Sequence, residues 1–376
     1  MTLTYCTNIH PGESWAEIFA HVREYVPAVR GRFAPGGTFP VALRLSGRAA
    51  MEIDGPEAAR FAEWCRRERC RVVTLNGFPH GRFHGVPVKE QVYLPDWRDP
   101  ERLRYTSRLA DLLASWLPED GRGSISSVPI GFRRSLTPEA VAAARRNLRG
   151  ALEHLERLAG ETGREILLAL EPEPGCLIET TEDVVRIFER LESPPRLSRH
   201  LGVCYDCCHQ ALQFEDPATS LETLRRAGIP IAHVQVSSAL RVEGPDLAPV
   251  ASFAEPTYLH QCVGRRPDGS LVRFDDLPEA LAAAPSTGCA EWRVHFHVPV
   301  FHEGSGTFRT TNDFLAGILP LLEPATPLEV ETYTWGVLPP RMRTPTVTES
   351  IVRELEWVAR RVAAPAAARP EPLPDR

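Results

Sequence analysis

Eight short apolar runs alternate along the chain with longer stretches whose apolar residues recur every three to four positions. The runs are residues 3–9, 41–46, 72–77, 124–131, 166–172, 201–206, 231–237 and 328–334. Each is rich in β-branched or large aliphatic residues, which reads as a strand. The stretches between them read as helices. "SWAEIFAHVREYVPAVR" opens on Ser14, a residue type that caps helix N-termini. "DGPEAARFAEWCRRE" carries Pro56 where a first turn tolerates it, and "LTPEAVAAARRNLRGALEHLERLAGETG" is closed by Gly163. Eight β–α units in succession, with strands apolar enough for burial on both faces, predict an α/β fold, a (β/α)8 TIM barrel. An open doubly wound sheet is the rival. Its usual glycine-rich first turn is missing from "CTNIHPGES".

One segment exceeds a minimal barrel. Residues 238–309 separate the seventh and eighth strands. They contain "TYLHQCVGRRPDGSLVRFDDL", which reads as a hairpin turning at "PDG", and "EWRVHFHVPVFHEGSG", which reads as an extra strand ending in a glycine-containing loop. An excursion this long is expected to serve function, packed over the mouth of the barrel with His295 or His297 brought near Asp206. Residues 1–365 are then expected to form a single barrel domain, and the Pro/Ala-rich tail, residues 366–376, to be disordered.

Composition narrows the function classes. A net charge of −6 over 376 residues argues against a nucleic-acid partner. No apolar stretch approaches the roughly 20 residues that span a bilayer, so the chain is not expected to be membrane-embedded. The start has no basic segment followed by an apolar core, so no signal peptide is expected and the expected location is cytoplasmic. Nine cysteines, an odd number and mostly isolated, read as reduced thiols. Cys204 and Cys207 have redox-pair spacing, but no second ligand pair follows for a structural zinc knot, and a strand-like run leads into them.

In such a barrel the chemistry sits at the C-terminal ends of the strands. The residues there are His10 after the first strand, His80, His84 and Lys89 after the third, and Glu171 and Glu173 after the fifth. Asp206 and His209 follow the sixth strand, His233 and Gln235 lie on the seventh, His295 and His297 in the excursion, and Glu331 on the eighth. Any one of these could be a solvated loop residue or a hydrogen-bonded core histidine. Burying all of them unpaired would be costly. A divalent cation offsets that cost, and carboxylates with imidazole or amide donors suit Mn, Mg, Co or Zn.

"LALEPEPG", "VCYDCCH", "AHVQVSS" and "LEVET" resemble the metal-binding strand ends of the xylose-isomerase-like TIM barrels. That superfamily includes sugar epimerases and the endonuclease IV fold. The resemblance implies a metal held by Glu171, Asp206 and Glu331, with His209 as a substrate or supporting contact. Its third ligand position, a histidine in relatives, falls on Gln235, with His233 two residues earlier as the alternative. A neutral amide there favours Mn or Mg over Zn or Co. More narrowly, the chain up to about residue 365 resembles the metabolite-traffic EboE family in "LTYCTNIHPGESW", "LNGFPHGRFHGVPVKEQVYLPDW", "TYLHQC", "WRVHFHVPVF" and "EVETYTWGVLP". That implies an isomerase/epimerase-like barrel in a pathway of precursor-metabolite export, associated with other proteins of that pathway.

The leading expectation is a metal-dependent isomerase or epimerase of a small polyol, sugar or cyclitol. Glu171 and Glu331 exchange protons, and His84, Lys89, His209 and His297 hold hydroxyls or a phosphate. The rivals are a non-catalytic metabolite carrier and a metal-dependent phosphoester hydrolase.

Overall fold

The computed structural model describes residues 2–363. The expected disordered tail, residues 366–376, lies outside the described residues. The strands among them are β1 (Leu3–Tyr5), β2 (Phe39–Arg44), β3 (Cys70–Asn76), β4 (Arg122–Ser127), β5 (Glu165–Leu170), β6 (Leu201–Asp206), β7 (Ile231–Val236), β8 (Ser238–Glu243), β9 (Cys262–Arg265), β10 (Leu271–Phe274), β11 (Glu291–Val298), β12 (Gly304–Ser305), β13 (Phe308–Thr310) and β14 (Leu328–Val330). β1 to β7 and β14 form one parallel sheet in the order β1-β14-β7-β6-β5-β4-β3-β2. A parallel bridge between Cys6 and Ala42 joins its two ends, and Thr4 Oγ1 donates to Pro40 O at 2.7 Å across the same seam. The result is a nearly closed eight-stranded barrel with helices outside it, and the open-sheet rival is excluded.

The helix signals act as read. Ser14 caps Trp15–Phe33 in a reciprocal capping box with Glu17. Asp54 caps Gly55–Arg67, whose first turn holds Pro56. Gly163 ends Pro138–Thr162 in the left-handed conformation, φ 71°, that a β-carbon disfavours.

Strand alternation divides two environments. Leu201, Val203 and Tyr205 of β6, Val234 and Val236 of β7, and Leu328 and Val330 of β14 join the apolar cluster shared with the helices. The residues between them face the barrel interior, which is polar. There His233 Nδ1 lies 2.8 Å from Ser124 Oγ, and Thr74 Oγ1 donates to Glu329 Oε1. The chain therefore keeps its oil outside the barrel wall and its ionisable groups inside.

Residues 238–310 build more than the expected hairpin and extra strand. β8 to β13 form a second sheet, antiparallel throughout, in the order β10-β9-β11-β8-β13-β12. The hairpin at "PDG" is β9–β10, turning at Gly269 with φ 86°. This sheet has its own apolar cluster around Phe253, Trp292 and Phe296, and Trp335 packs against both clusters. β8 starts one residue beyond the end of β7, and β11 packs on the short helix Cys207–Leu212 that follows β6. The second sheet therefore meets the barrel at the ends of strands that carry the candidate ligands.

Candidate metal centre

Three carboxylates converge at the strand ends. Asp206 is the last residue of β6, and its Oδ1 caps the following helix by accepting from His209 N at 3.1 Å. Ser237 Oγ donates to the same oxygen at 2.7 Å. Glu171 follows β5 and Glu331 follows β14. Oxygens of Glu171, Asp206 and Glu331 all lie within 4.8 Å of one another, and all three residues are buried. Asn8 Nδ2 and Asn76 Nδ2 donate to Glu331 Oε1 at 2.8 and 3.2 Å, which fixes its position. Gln235 pairs in register with Asp206 and with Glu329. His233 pairs with Cys204, and its Nε2 is 4.0 Å from Glu329 Oε1, so it belongs to the layer beneath. The seventh-strand residue level with the carboxylates is Gln235.

The electrostatics of this cluster call for a cation. Burial, then the charges of its carboxylate neighbours, raises Glu171 and Glu331 well above the usual carboxylate range. Burial pushes Asp206 up as well, but His209, His297 and the Ser237 hydroxyl outweigh it and hold this carboxyl below its ordinary value. Among the described residues, the ion-pair partners of these three carboxylates within 4.0 Å are histidines, with no Lys or Arg. Asn8 Oδ1, Glu171 Oε2, Asp206 Oδ2 and Gln235 Oε1 are buried oxygens without a donor, in a protein class where such atoms are rare. An all-oxygen set of this kind fits a hard divalent cation.

A cavity of about 50 Å³ lies above the carboxylates. Its floor is Asn8, Asn76, Glu171, Glu173, His209 and Glu331, and its walls include Phe78, Phe83, Tyr93, Tyr258 and Tyr333. A cavity of about 150 Å³ holds benzene, so a sugar requires this one to open.

β11 brings its two histidines to the same place. Its pairing with β8 slips, because Val294 faces Leu240 while Val298 faces Ser238, so four residues of one strand span two of the other. Such a bulge re-aims side chains. His297 Nε2 is 3.8 Å from Asp206 Oδ2, and His295 Nε2 is 3.2 Å from His209 Nε2 and 3.1 Å from His297 Nε2. Of the two histidines expected near Asp206, His297 contacts it and His295 lies against His209 and His297.

Of the expected substrate contacts, Lys89 lines the cavity and His84 does not. The Lys89 ammonium donates to Asp276 Oδ2, Tyr258 O and Glu255 O at 2.6, 2.7 and 3.3 Å. Its three protons are thus engaged within the protein, where it clamps the loop after β3 to Glu255, Tyr258 and Asp276. His84 is absent from the cavity wall. Burial and nearby Arg44 push its pKa down to about 3, so its neutral ring does not attract a phosphate. His10 and His80 also lie elsewhere: His10 stacks on Tyr25 at 4.1 Å, and His80 sits edge-on to Tyr105. All nine cysteines are buried and free, so no disulfide or redox pair forms. Cys208 borders His295 and His297, whereas Cys207 joins the apolar cluster.

Asn8, Asn76, Tyr93, Gln261 and Tyr333 escaped the sequence reading. Asn76 ends β3 and was legible as a polar strand-end residue. Asn8 was not, because residues 3–9 read as one strand; instead Thr7–Ile9 is a 3-10 turn.

A family model described as xylose isomerase-like TIM barrel matches residues 41–292. Among curated proteins, none matches the chain. Several solved structures share the fold. An IolI protein with a bound zinc atom is 13% identical with a TM-score of 0.51, over 96% of this chain and 98% of that one. A xylose isomerase-like TIM barrel protein from Mycobacterium smegmatis, in complex with magnesium, is 10% identical with a TM-score of 0.50, over 96% and 98%. A D-allulose 3-epimerase from Methylomonas sp., in complex with D-allulose, is 13% identical with a TM-score of 0.50, over 96% and 97%. At identities this low the likeness carries the fold alone.

Proposed function

We propose, for a chain that belongs to the xylose isomerase-like TIM barrel family, a metal-dependent isomerase or epimerase acting on a small polyol, sugar or cyclitol. The observation that carries this reading is the buried convergence of Glu171, Asp206 and Glu331 without a Lys or Arg partner among the described residues. Glu171, Asp206, Gln235 and Glu331 would hold the cation, with Mn or Mg favoured by the oxygen donors. Bound there, a divalent cation supplies Lewis acidity toward a carbonyl or hydroxyl oxygen. The proton chemistry belongs to the chain. One of Glu171 and Glu331 takes the proton from the carbon beside the carbonyl, and the other returns a proton to that carbon or its neighbour. Asn8 and Asn76 hold the Glu331 carboxylate in place for this. Tyr93, Tyr258 and Tyr333 present amphipathic rings that exclude water and shape the pocket. A polyol substrate is also in keeping with the D-allulose 3-epimerase that shares the fold. The EboE-like motifs, which include Asn8, Tyr93, Gln261 and Tyr333, support a place in metabolite traffic.

The test is solvent deuterium incorporation into a panel of ketoses, cyclitols and sugar phosphates with manganese present. The expected result is exchange at the carbon beside the carbonyl, lost in both Glu171→Gln and Glu331→Gln. Tight binding of a panel member without exchange would make the protein a carrier. Release of inorganic phosphate from the sugar phosphates, without exchange, would make it a hydrolase.

A further inference from the structure

We infer that the ligand of this cavity is amphipathic: a small α-hydroxyketone whose oxygens lie on the polar floor and whose other end is an apolar body, aryl or branched alkyl, held between the loop after β3 and the segment that leads into β9. The head of that ligand rests on the isomerase reading, and the body rests on the cavity wall alone.

The lining divides by chemistry. The floor holds carboxylates, amides and imidazoles, whereas the wall holds Phe78, Phe83, Val88, Val92 and Leu259, whose side chains neither donate nor accept a hydrogen bond. Phe83, Val88 and Tyr258 are buried together in an apolar cluster apart from those of the two sheets, with Val86 and Tyr333 against it. The polar groups that reach the wall are mostly engaged already. Lys89 Nζ has three acceptors in the protein. Tyr93 OH donates to Glu173 Oε1 at 3.1 Å and accepts from Gln261 Nε2 at 2.8 Å. The backbone amides of Val88 and Lys89 both donate to Thr257 O, at 2.7 and 3.1 Å. Among the described residues, the phenol oxygens of Tyr258 and Tyr333 are the side-chain polar atoms this wall leaves for a ligand.

A bare sugar does not match that division. A ketohexose carries hydroxyls along its whole length, and those away from the floor would face rings and aliphatic carbon. Each hydroxyl stranded there gives up water without gaining a partner, which costs about tenfold in affinity. The same rings also close the cavity. Their centroids lie 5.2 Å apart for Phe83 and Tyr258, 5.1 Å for Phe83 and Tyr333, and 5.0 Å for Tyr258 and Tyr333. A ligand enters by parting these rings. An apolar group replaces the contacts that parting breaks, whereas a hydroxylated one leaves the freed ring faces without an apolar neighbour. Tyr258 and Tyr333 meet edge to face at 75°, a geometry that an aryl ring of the ligand can take up with either of them.

The test is calorimetric binding to the full chain in manganese, with three probes: hydroxymethyl phenethyl ketone, erythrulose, which has the same hydroxyketone chain without the phenyl ring, and fructose. The phenyl ketone should bind about tenfold or more tighter than either sugar. Phe83→Ser and Tyr258→Ser should each remove about that factor from the phenyl ketone and change erythrulose by less than about threefold. Manganese content, read by elemental analysis, shows that each variant keeps its barrel; if both lose it, the wild-type comparison alone decides. The inference is overturned if the phenyl ketone binds no tighter than the sugars, or if both metal-bearing variants bind it as the wild type does. Tight binding of the phenyl ketone without deuterium uptake beside its carbonyl would remove the isomerase reading and leave the apolar body standing. Deuterium uptake into the sugars, with no preference for the phenyl ketone, would do the reverse.

Discussion

Replacing Gln235 by Met should make the metal-free protein more stable and the metal-loaded protein less so. Gln235 is fully buried, and neither its Nε2 nor its Oε1 has a hydrogen-bond partner. Each unmet buried polar group costs about 1–3 kcal/mol. Methionine has nearly the same length and volume, so the exchange leaves little cavity or clash. Taking the low end for each atom, Gln235→Met should stabilise the metal-free chain by about 2 kcal/mol. The cation reverses the order. At a free concentration about a thousand times its Kd, a ligand of the native state adds about 4 kcal/mol. The variant, short of one oxygen donor, binds less tightly and gains less. Urea unfolding followed by two probes, once with a chelator and once with saturating manganese, measures both differences. The reasoning is refuted if Gln235→Met is the less stable protein in chelator, because the amide would then have partners in solution and would not be held in reserve for a cation. Gln235→His extends the same logic. It supplies an imidazole at that position and should shift the preference from manganese toward zinc.

Three further outcomes follow from the geometry. Asp206→Asn should lower the metal content of the purified protein while Cys207→Ser leaves it unchanged, as read by elemental analysis; the opposite pattern would place a thiolate at the metal. Burial raises the Glu354 carboxyl from 4.5 to about 7, despite hydrogen bonds from Thr332 Oγ1 and Val300 N. The folded state therefore holds an extra proton between those values, so this stabilisation is complete below the unfolded pKa and lost as pH rises through the folded one. It amounts to about 3 kcal/mol at most, and Glu354→Gln should flatten urea midpoints compared between about pH 5 and pH 8; an unchanged slope would assign the dependence to other groups. Lys89→Met should speed proteolytic cutting of the loop after β3 with metal content intact, whereas weakened binding of phosphorylated ligands with cutting unchanged would restore Lys89 as a substrate contact.

The sequence disclosed the barrel because its strand signals are local. All eight runs overlap a barrel strand, and β6 has the bounds its residues suggest. The errors lie at strand ends, where tertiary partners decide. Residues 3–9 carry β-branched residues suited to a strand, yet the chain turns at Thr7, whose Oγ1 accepts from Arg44 N at 2.8 Å. That turn delivers Asn8 to Glu331. Residues 328–334 were read as one strand, but the ladder stops at Val330 and leaves Glu331 just beyond it. The surroundings of Lys89 and His84 are set the same way: Asp276, which pairs with Lys89, and Arg44, whose charge lies near His84, are far away in the chain, and no spacing rule encodes them.

The carboxylates were legible because each follows its own strand, whereas the imidazole cluster depends on how two sheets dock. "HFH" in β11 puts His295 and His297 on one face by alternation. Nothing local says that this face meets His209, or that a bulge will crowd both rings against it. The same docking explains a division of labour in the site. The barrel interior offers oxygen donors whose backbone supports are parallel strands, and the second sheet offers nitrogen donors supported by Gln261 and by the turn after β14. The carboxylates alone would repel one another, and a cation held among them would offset that and brace the contact of His297 with Asp206, where the second sheet meets the barrel. Metal binding is therefore expected to stabilise the junction between the sheets more than either sheet itself, so protection of β11 amides from hydrogen exchange should rise on metal addition while protection of β2, on the far side of the barrel, stays level.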